Sequence, residues 1–176
     1  GPGSAHVDWA KRNQGKKNSG ENNGLVVQFT ERHGVNWAMD ETTGIAQRSV
    51  ARATNVEIDA CARCHARRGV LTEDYVHGKP FLDSHLPALL SAGLYYADGQ
   101  IQDEVYEYGS FLQSEMHAHG VTCSDCHEPH GLRLRAEGSN VCSQCHAPAK
   151  FASTEHHHHK PGSAGASCLG CHMPER

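Results

Sequence analysis

Apolar positions along this 176-residue chain come in short groups separated by polar stretches. GLVVQFT (24–30), the turn-like ERHG and VNWAMD (35–40) alternate as a β-hairpin does, with a further turn at TTG. NVEIDACARCHARR (55–68) suits a short helix with Thr54, Asn55 or Asp59 near its start. LPALLSAGLYY (86–96) predicts a helix entered through Pro87. VYEYGSFLQSEMHAH (105–119) sets Val105, Phe111, Leu112 and Met116 at near-helical spacing. The segments GPGS (1–4), HGKP (77–80), HEPHG (127–131) and HHKPGSAGAS (158–167) read as loops. The pattern therefore predicts little regular structure, mainly short α-helices, with one small hairpin near the N-terminus.

Composition makes that pattern unusual. Apolar residues are 38% and aromatics 6%, with mean hydropathy −0.60, so side chains alone make a thin core. LPALLSAGLYY is too short to cross a bilayer, and the first twenty residues are too polar to be a secretory signal. A net charge of −4 with pI near 6.4 speaks against a nucleic-acid partner. The cluster Lys11, Arg12, Lys16 and Lys17 reads as solvated surface. Against this background the chain holds eight Cys and fifteen His.

All eight Cys fall in four copies of Cys-x-x-Cys-His: Cys61, Cys64 and His65; Cys123, Cys126 and His127; Cys142, Cys145 and His146; Cys168, Cys171 and His172. Chance would give about 0.03 copies at these residue frequencies. Two thiols three residues apart on a helical turn can add to both vinyl groups of one haem, and the following His is then held against the iron. The pattern thus specifies four covalent haem c groups and their proximal ligands. Cys126 and Cys142 also stand at a zinc-ribbon spacing, and redox dithiols or four disulfides are further readings. Zinc needs no His after each second Cys, and no βαβ context surrounds the pairs. Haem accounts for every member of the pattern.

The motifs begin at 61, 123, 142 and 168. This order predicts a haem-free N-terminal segment (1–53) and a first haem with a helical insert (54–122). A compact three-haem group (123–176) completes the single domain. Eleven His remain, enough for a second axial ligand on each iron, and six-coordinate low-spin haem suits electron transfer. His6, His117, His130 and one or two members of the run His156–His159 are the distal candidates, and His33 is the clearest surface one. Trp37 and Phe29 are expected against a haem face or the small core. Met116 is expected in the core, with axial ligation as its alternative. Arg133, Arg135, Lys150 and Lys160 are candidate propionate partners, solvated surface being the alternative.

The stretches ACARCHARRG (60–69), FLDSHLPALLSAGLYYADGQIQDEVYEYGSFLQS (81–114), GVTCSDCHEPH (120–130) and HHHHKPGSAGASCLGCHMP (156–174) resemble a multihaem cytochrome c family. That family is related to the cytochrome c-554 group, and its longer members often carry tetratricopeptide repeats. The resemblance implies distal roles for His6, His130 and the segment His156, His157 and His159. Tyr96 stands where the family often has a His. Family members usually carry further haems upstream and a His-containing tail, so the chain is expected to be a fragment, a processed form or a shortened relative. The expected function is electron relay along mostly bis-His haems, without enzymatic turnover unless one iron is five-coordinate. Two alternatives remain: a subunit of a conducting extracellular filament, and a reductase with one open haem. Expected partners are redox proteins or other multihaem cytochromes, and the expected location is periplasmic or extracellular, since covalent haem attachment occurs outside the bacterial cytoplasm.

Overall fold

Short elements follow one another with little sheet between them in the computed structural model, which describes residues 3–14 and 22–173. Gly1 and Pro2 of the GPGS loop, and Lys16 and Lys17, lie outside the described residues. Helix α1 (Ser4–Arg12), which the pattern of apolar residues did not predict, begins inside that loop. A hairpin follows, but its strands are β1 (Trp37–Asp40) and β2 (Ile45–Arg48), joined across Thr42, Thr43 and Gly44. Residues 24–30 form no strand. The TTG turn thus closes the hairpin where it was expected only to follow it. Asp40 fixes that turn, its Oδ1 accepting from Thr42 N at 2.8 Å. Phe29 is exposed and Trp37 half-buried.

Helix α2 (Val56–His65) matches its predicted span closely, carrying Glu57 and Asp59 in its first turn and Arg63 and His65 in its last. Those charges complement the helix dipole at both ends. The region beyond it departs from expectation. Strand β3 (Arg68–Val70) pairs with β4 (His85–Pro87), and Ala88 N–H continues the contact to Arg67 O at 2.7 Å. Residues 86–96 consequently form no helix: the chain turns at Ser91 and at Gly93, whose φ is +88°. LPALL is an unbroken apolar run, and such a run has no period to separate strand from helix.

The 105–119 segment is two helices, α3 (Glu107–Leu112) and α4 (Glu115–Ala118). Ser114 breaks them with ψ of 146°, and its Oγ accepts from His117 N at 3.1 Å as an N-cap. Val105 is buried just ahead of the first, and Met116 is about half exposed, not in the core. The later elements are α5 (Cys123–Cys126), β5 (His127–Glu128) paired with β6 (Arg133–Leu134), α6 (Pro148–Phe151), α7 (Thr154–His157) and α8 (Cys168–His172). The described residues therefore hold three two-stranded ladders where one was predicted. The buried core of the described residues is small: Ala62, Ala66 and Phe81 cluster with Tyr108 packed on them, and Ala46, Ile58, Tyr95, Val105 and Val121 are buried outside that cluster. Ala62 lies inside the first motif and Ala66 directly after it, so the core backs the first attachment site.

Candidate haem-binding site

Each of the four motifs rests on a tight helical turn. The first ends α2, which stops where Ala66 turns extended. The second is α5, entered through Thr122, whose N–H donates to Asp125 Oδ2 at 2.8 Å. Asp125 Oδ1 in turn accepts from Arg32 Nε at 2.9 Å. The third follows a 3-10 stretch (Gly138–Gln144), with Cys145 N and His146 N both donating to Cys142 O at 3.1 and 2.9 Å. The fourth is α8. In a helical turn positions three apart share a face, so each motif presents both thiols on one side.

The N-terminal hairpin takes part in this array. Ala46 N donates to Cys145 O at 2.7 Å, and Ala147 N to Gly44 O at 2.8 Å, so β2 forms a backbone clasp around His146. Lys150 Nζ closes the clasp on Thr43 O at 2.8 Å. A segment without an attachment site of its own thus positions the third. Among the basic residues considered for propionates, Lys150 is engaged here, and Arg135 donates to Ser124 O.

Thiols of successive motifs meet. Cys61 and Cys123 share a hydrogen bond that pulls the Cys61 thiol down and drives Cys123 far up, because a second thiolate beside the first is disfavoured. Burial raises the Cys142 thiol, and Cys168 beside it adds to the rise. Burial likewise raises Cys126 and Cys145, with neighbouring Asp125 adding to each.

Among the histidines, His65 has Nδ1 3.0 Å from Glu107 Oε2, the carboxylate–imidazole arrangement that orients a metal-binding ring and leaves Nε2 for the metal. His146 is held below the usual histidine range by burial and by its neighbours His172 and His156. His146, Phe151, His156 and His172 form a string of rings. Its last pair, His156 and His172, lies 9° from parallel with centroids 6.1 Å apart. His6 Nδ1 meets Asn23 O at 2.8 Å, and its ring lies along Trp9. His117 differs: its Nε2 is 2.8 Å from Arg52 Nη2. It is held low by burial and then by that guanidinium. His130 is exposed with Nδ1 3.5 Å from Glu128, and His157 and His159 lie 6.4 Å apart at 21°. His33 is exposed.

These residues fit haem. All eight thiols are free, each pair sits on one turn, and the His156 ring lies beside that of His172. Among the described residues no group of three or more His, Cys, Asp or Glu is gathered. A cleft of about 670 Å3 opens beside the first motif, with Ile58, Asp59, Tyr108, Leu112 and His117 in its wall. Burial pushes the Asp59 carboxyl and the Tyr108 hydroxyl up.

Sequence reasoning passed over His85, Glu31 and Glu57, all buried. Glu57 left one signal, an acid four residues before Cys61 on the same helix. Glu31 left none.

A family model described as the doubled CXXCH motif matches residues 117–151, which contain the second and third motifs. No curated protein and no solved structure matches the chain. The doubled motif supports a multihaem c-type cytochrome, a class that carries electrons and is typically exported, and its motifs indicate covalently bound haem c. No helix among the described residues is long and apolar enough to cross a membrane.

Proposed function

We propose that this chain is an electron-transfer cytochrome with four haem c groups, one per motif, in a single domain. The observation that carries this reading is the meeting of motifs: Glu57 of α2 holds Ser124, which stands between Cys123 and Cys126, and the 3-10 stretch carrying Cys142 packs against α8. Attachment points that close support one continuous array over isolated centres. Haem supplies one-electron redox chemistry when bound, its iron poised by axial ligand and burial. The chain's part is to hold and orient. Cys61 and Cys64, Cys123 and Cys126, Cys142 and Cys145, and Cys168 and Cys171 anchor the groups, with His65, His127, His146 and His172 as proximal ligands. His156 is the distal partner of His172, supported by their parallel rings. His6 is a second distal ligand, supported by the carbonyl that occupies its Nδ1. Glu107 orients His65, and the β2 clasp orients His146. The resemblance to the cytochrome c-554-related family supports relay between redox proteins in the periplasm or outside the cell.

Iron per chain and visible and magnetic-resonance spectra of the oxidised and dithionite-reduced protein test the reading. Four irons, all low-spin, with reduced c-type bands are expected. A high-spin fraction near one haem in four would favour the reductase alternative, and the absence of a Soret band would overturn the haem reading.

A further inference from the structure

Two acidic side chains are buried where the first two motifs meet, and the relay described above does not use them. Glu57 is 2% exposed and Glu31 5%. Glu57 accepts Ser124 N–H at 2.6 Å on Oε1 and the Ser124 hydroxyl at 2.8 Å on Oε2, so both oxygens act as acceptors. Ser124 lies between Cys123 and Cys126, which ties α2 directly to the second motif. Glu31 stands behind Glu57. Its Oε1 accepts the Thr54 hydroxyl at 2.8 Å and Glu57 N–H at 2.9 Å, and its Oε2 is buried without a hydrogen-bond partner.

Cations are close but turned elsewhere. Arg48 donates to the backbone carbonyls of Val50 and Glu31. Arg52 donates to Asn55, Val121 and His117. Among the described residues neither buried carboxylate forms an ion pair. Burying carboxylates without a cation is costly. The negative charge of Glu57 acts on Cys61 and Cys123 alike, hence on both attachment points at once.

The other end of the chain is different. Near the third and fourth motifs no described acid is buried without a cation: Asp125, beside Cys145, is paired with Arg32 at 2.9 Å. The segment 54–122 has ten Asp or Glu against four Lys or Arg, whereas 123–173 has four of each. In a low-dielectric interior a fixed negative charge opposes the arrival of an electron nearby far more than it does in water.

We infer that Glu57, backed by Glu31, is a positioning residue that fixes the first motif to the second and makes the two haems attached there harder to reduce than those at the third and fourth motifs. The inference rests on the haem reading above and deepens it. Electrons delivered to the Glu57 end then run towards the His156–His172 end.

The test is a spectroelectrochemical titration of the holoprotein bearing Glu57→Gln. The amide keeps the size of the side chain and can still accept Ser124 N–H, but it carries no charge. The expected result is that the two lowest-potential steps become easier to reduce by about tenfold in equilibrium constant, ~59 mV for a one-electron couple, while the two highest steps stay in place. Glu57→Asp, which restores the charge, should return the low steps towards their original position. A purely structural role would not sort variants by charge in this way. Glu31→Gln reads out the same steps with a smaller shift, and decides the matter if Glu57→Gln does not fold. An unshifted titration in a variant with its full haem complement, or an equal shift in all four steps, overturns the inference and leaves the cytochrome reading standing. A wild-type chain with no c-type spectrum overturns both.

Discussion

At the scale of single residues, the direction of one nitrogen separates one spare histidine from another. A guanidinium only donates, so Arg52 at 2.8 Å makes His117 Nε2 the acceptor and uses its lone pair. A carbonyl only accepts, so Asn23 O makes His6 Nδ1 the donor and leaves its Nε2 lone pair for a metal. His156 has the parallel partner His172. His156→Ala is therefore expected to convert about one haem in four to the high-spin form and to open that iron to carbon monoxide, read by magnetic resonance and the Soret band. His117→Ala should leave the spin state unchanged. A spin change in the His117 variant, or none in the His156 variant, would reverse the assignment. The cysteine pairs and the histidine after each are legible in the sequence because thioether attachment needs contiguous spacing. A distal ligand would lie far from its iron along the chain, so the sequence yields only a pool of six candidates. Glu31 and Glu57 were not legible because their significance depends on Ser124 and Thr54, which folding brings to them.

Among elements, the sequence was most readable where a helix had both a period and matched terminal charges, as in α2. It was least readable where apolar runs lacked a period. The 86–96 run is spent on pairing β4 with β3 and on a turn, and the 105–119 run is divided by a serine that caps the following helix. The N-terminal hairpin shows a further limit. Its turn residues were visible, but its task of clasping His146 arises only from a contact about a hundred residues away. Gly44 is the joint of that clasp. Its φ is +69°, and a Cβ there would meet Lys150 Cδ at 2.8 Å and the Phe151 ring at 3.3 Å. Gly44→Val should cost about 1–3 kcal/mol from backbone strain, with displacement of Lys150 and Phe151 in addition. We expect a lower melting temperature and a perturbed His146 environment in the holoprotein, seen in the thermal melt and the paramagnetically shifted proton resonances. Unchanged resonances at His146 would mean that the hairpin does not position the third motif.

For the whole molecule, the question is what the chain folds around. The buried cluster is two alanines and a phenylalanine, and the largest fully buried side chains are Phe81, Val105 and Thr122. Large apolar residues such as Val70, Leu82, Leu86 and Leu89 are more than half exposed. Each ordered residue loses about 1–2 kcal/mol of backbone entropy, and a core of this size returns little against that loss. The chain therefore needs its covalent groups as core, and each thioether pair also restricts the unfolded chain around a shared rigid plate. A chain with all eight cysteines replaced by serine should show no cooperative thermal transition and little near-ultraviolet circular dichroism. The haem-loaded protein should melt sharply. The serine chain is the stricter comparison, because heating or acid would leave thioether-bound haem in place and keep part of the constraint. If it melted cooperatively, the polar junction of Glu31, Glu57, Ser124 and Arg32 with Asp125 would be sufficient to set the spacing of the motifs. Haem would then be attached to a frame already built, and the order of assembly would run from fold to cofactor. If it did not, attachment at one motif would have to precede folding at the next, and loss of a single pair such as Cys61 and Cys64 should lower haem occupancy at its neighbour, Cys123 and Cys126, as well.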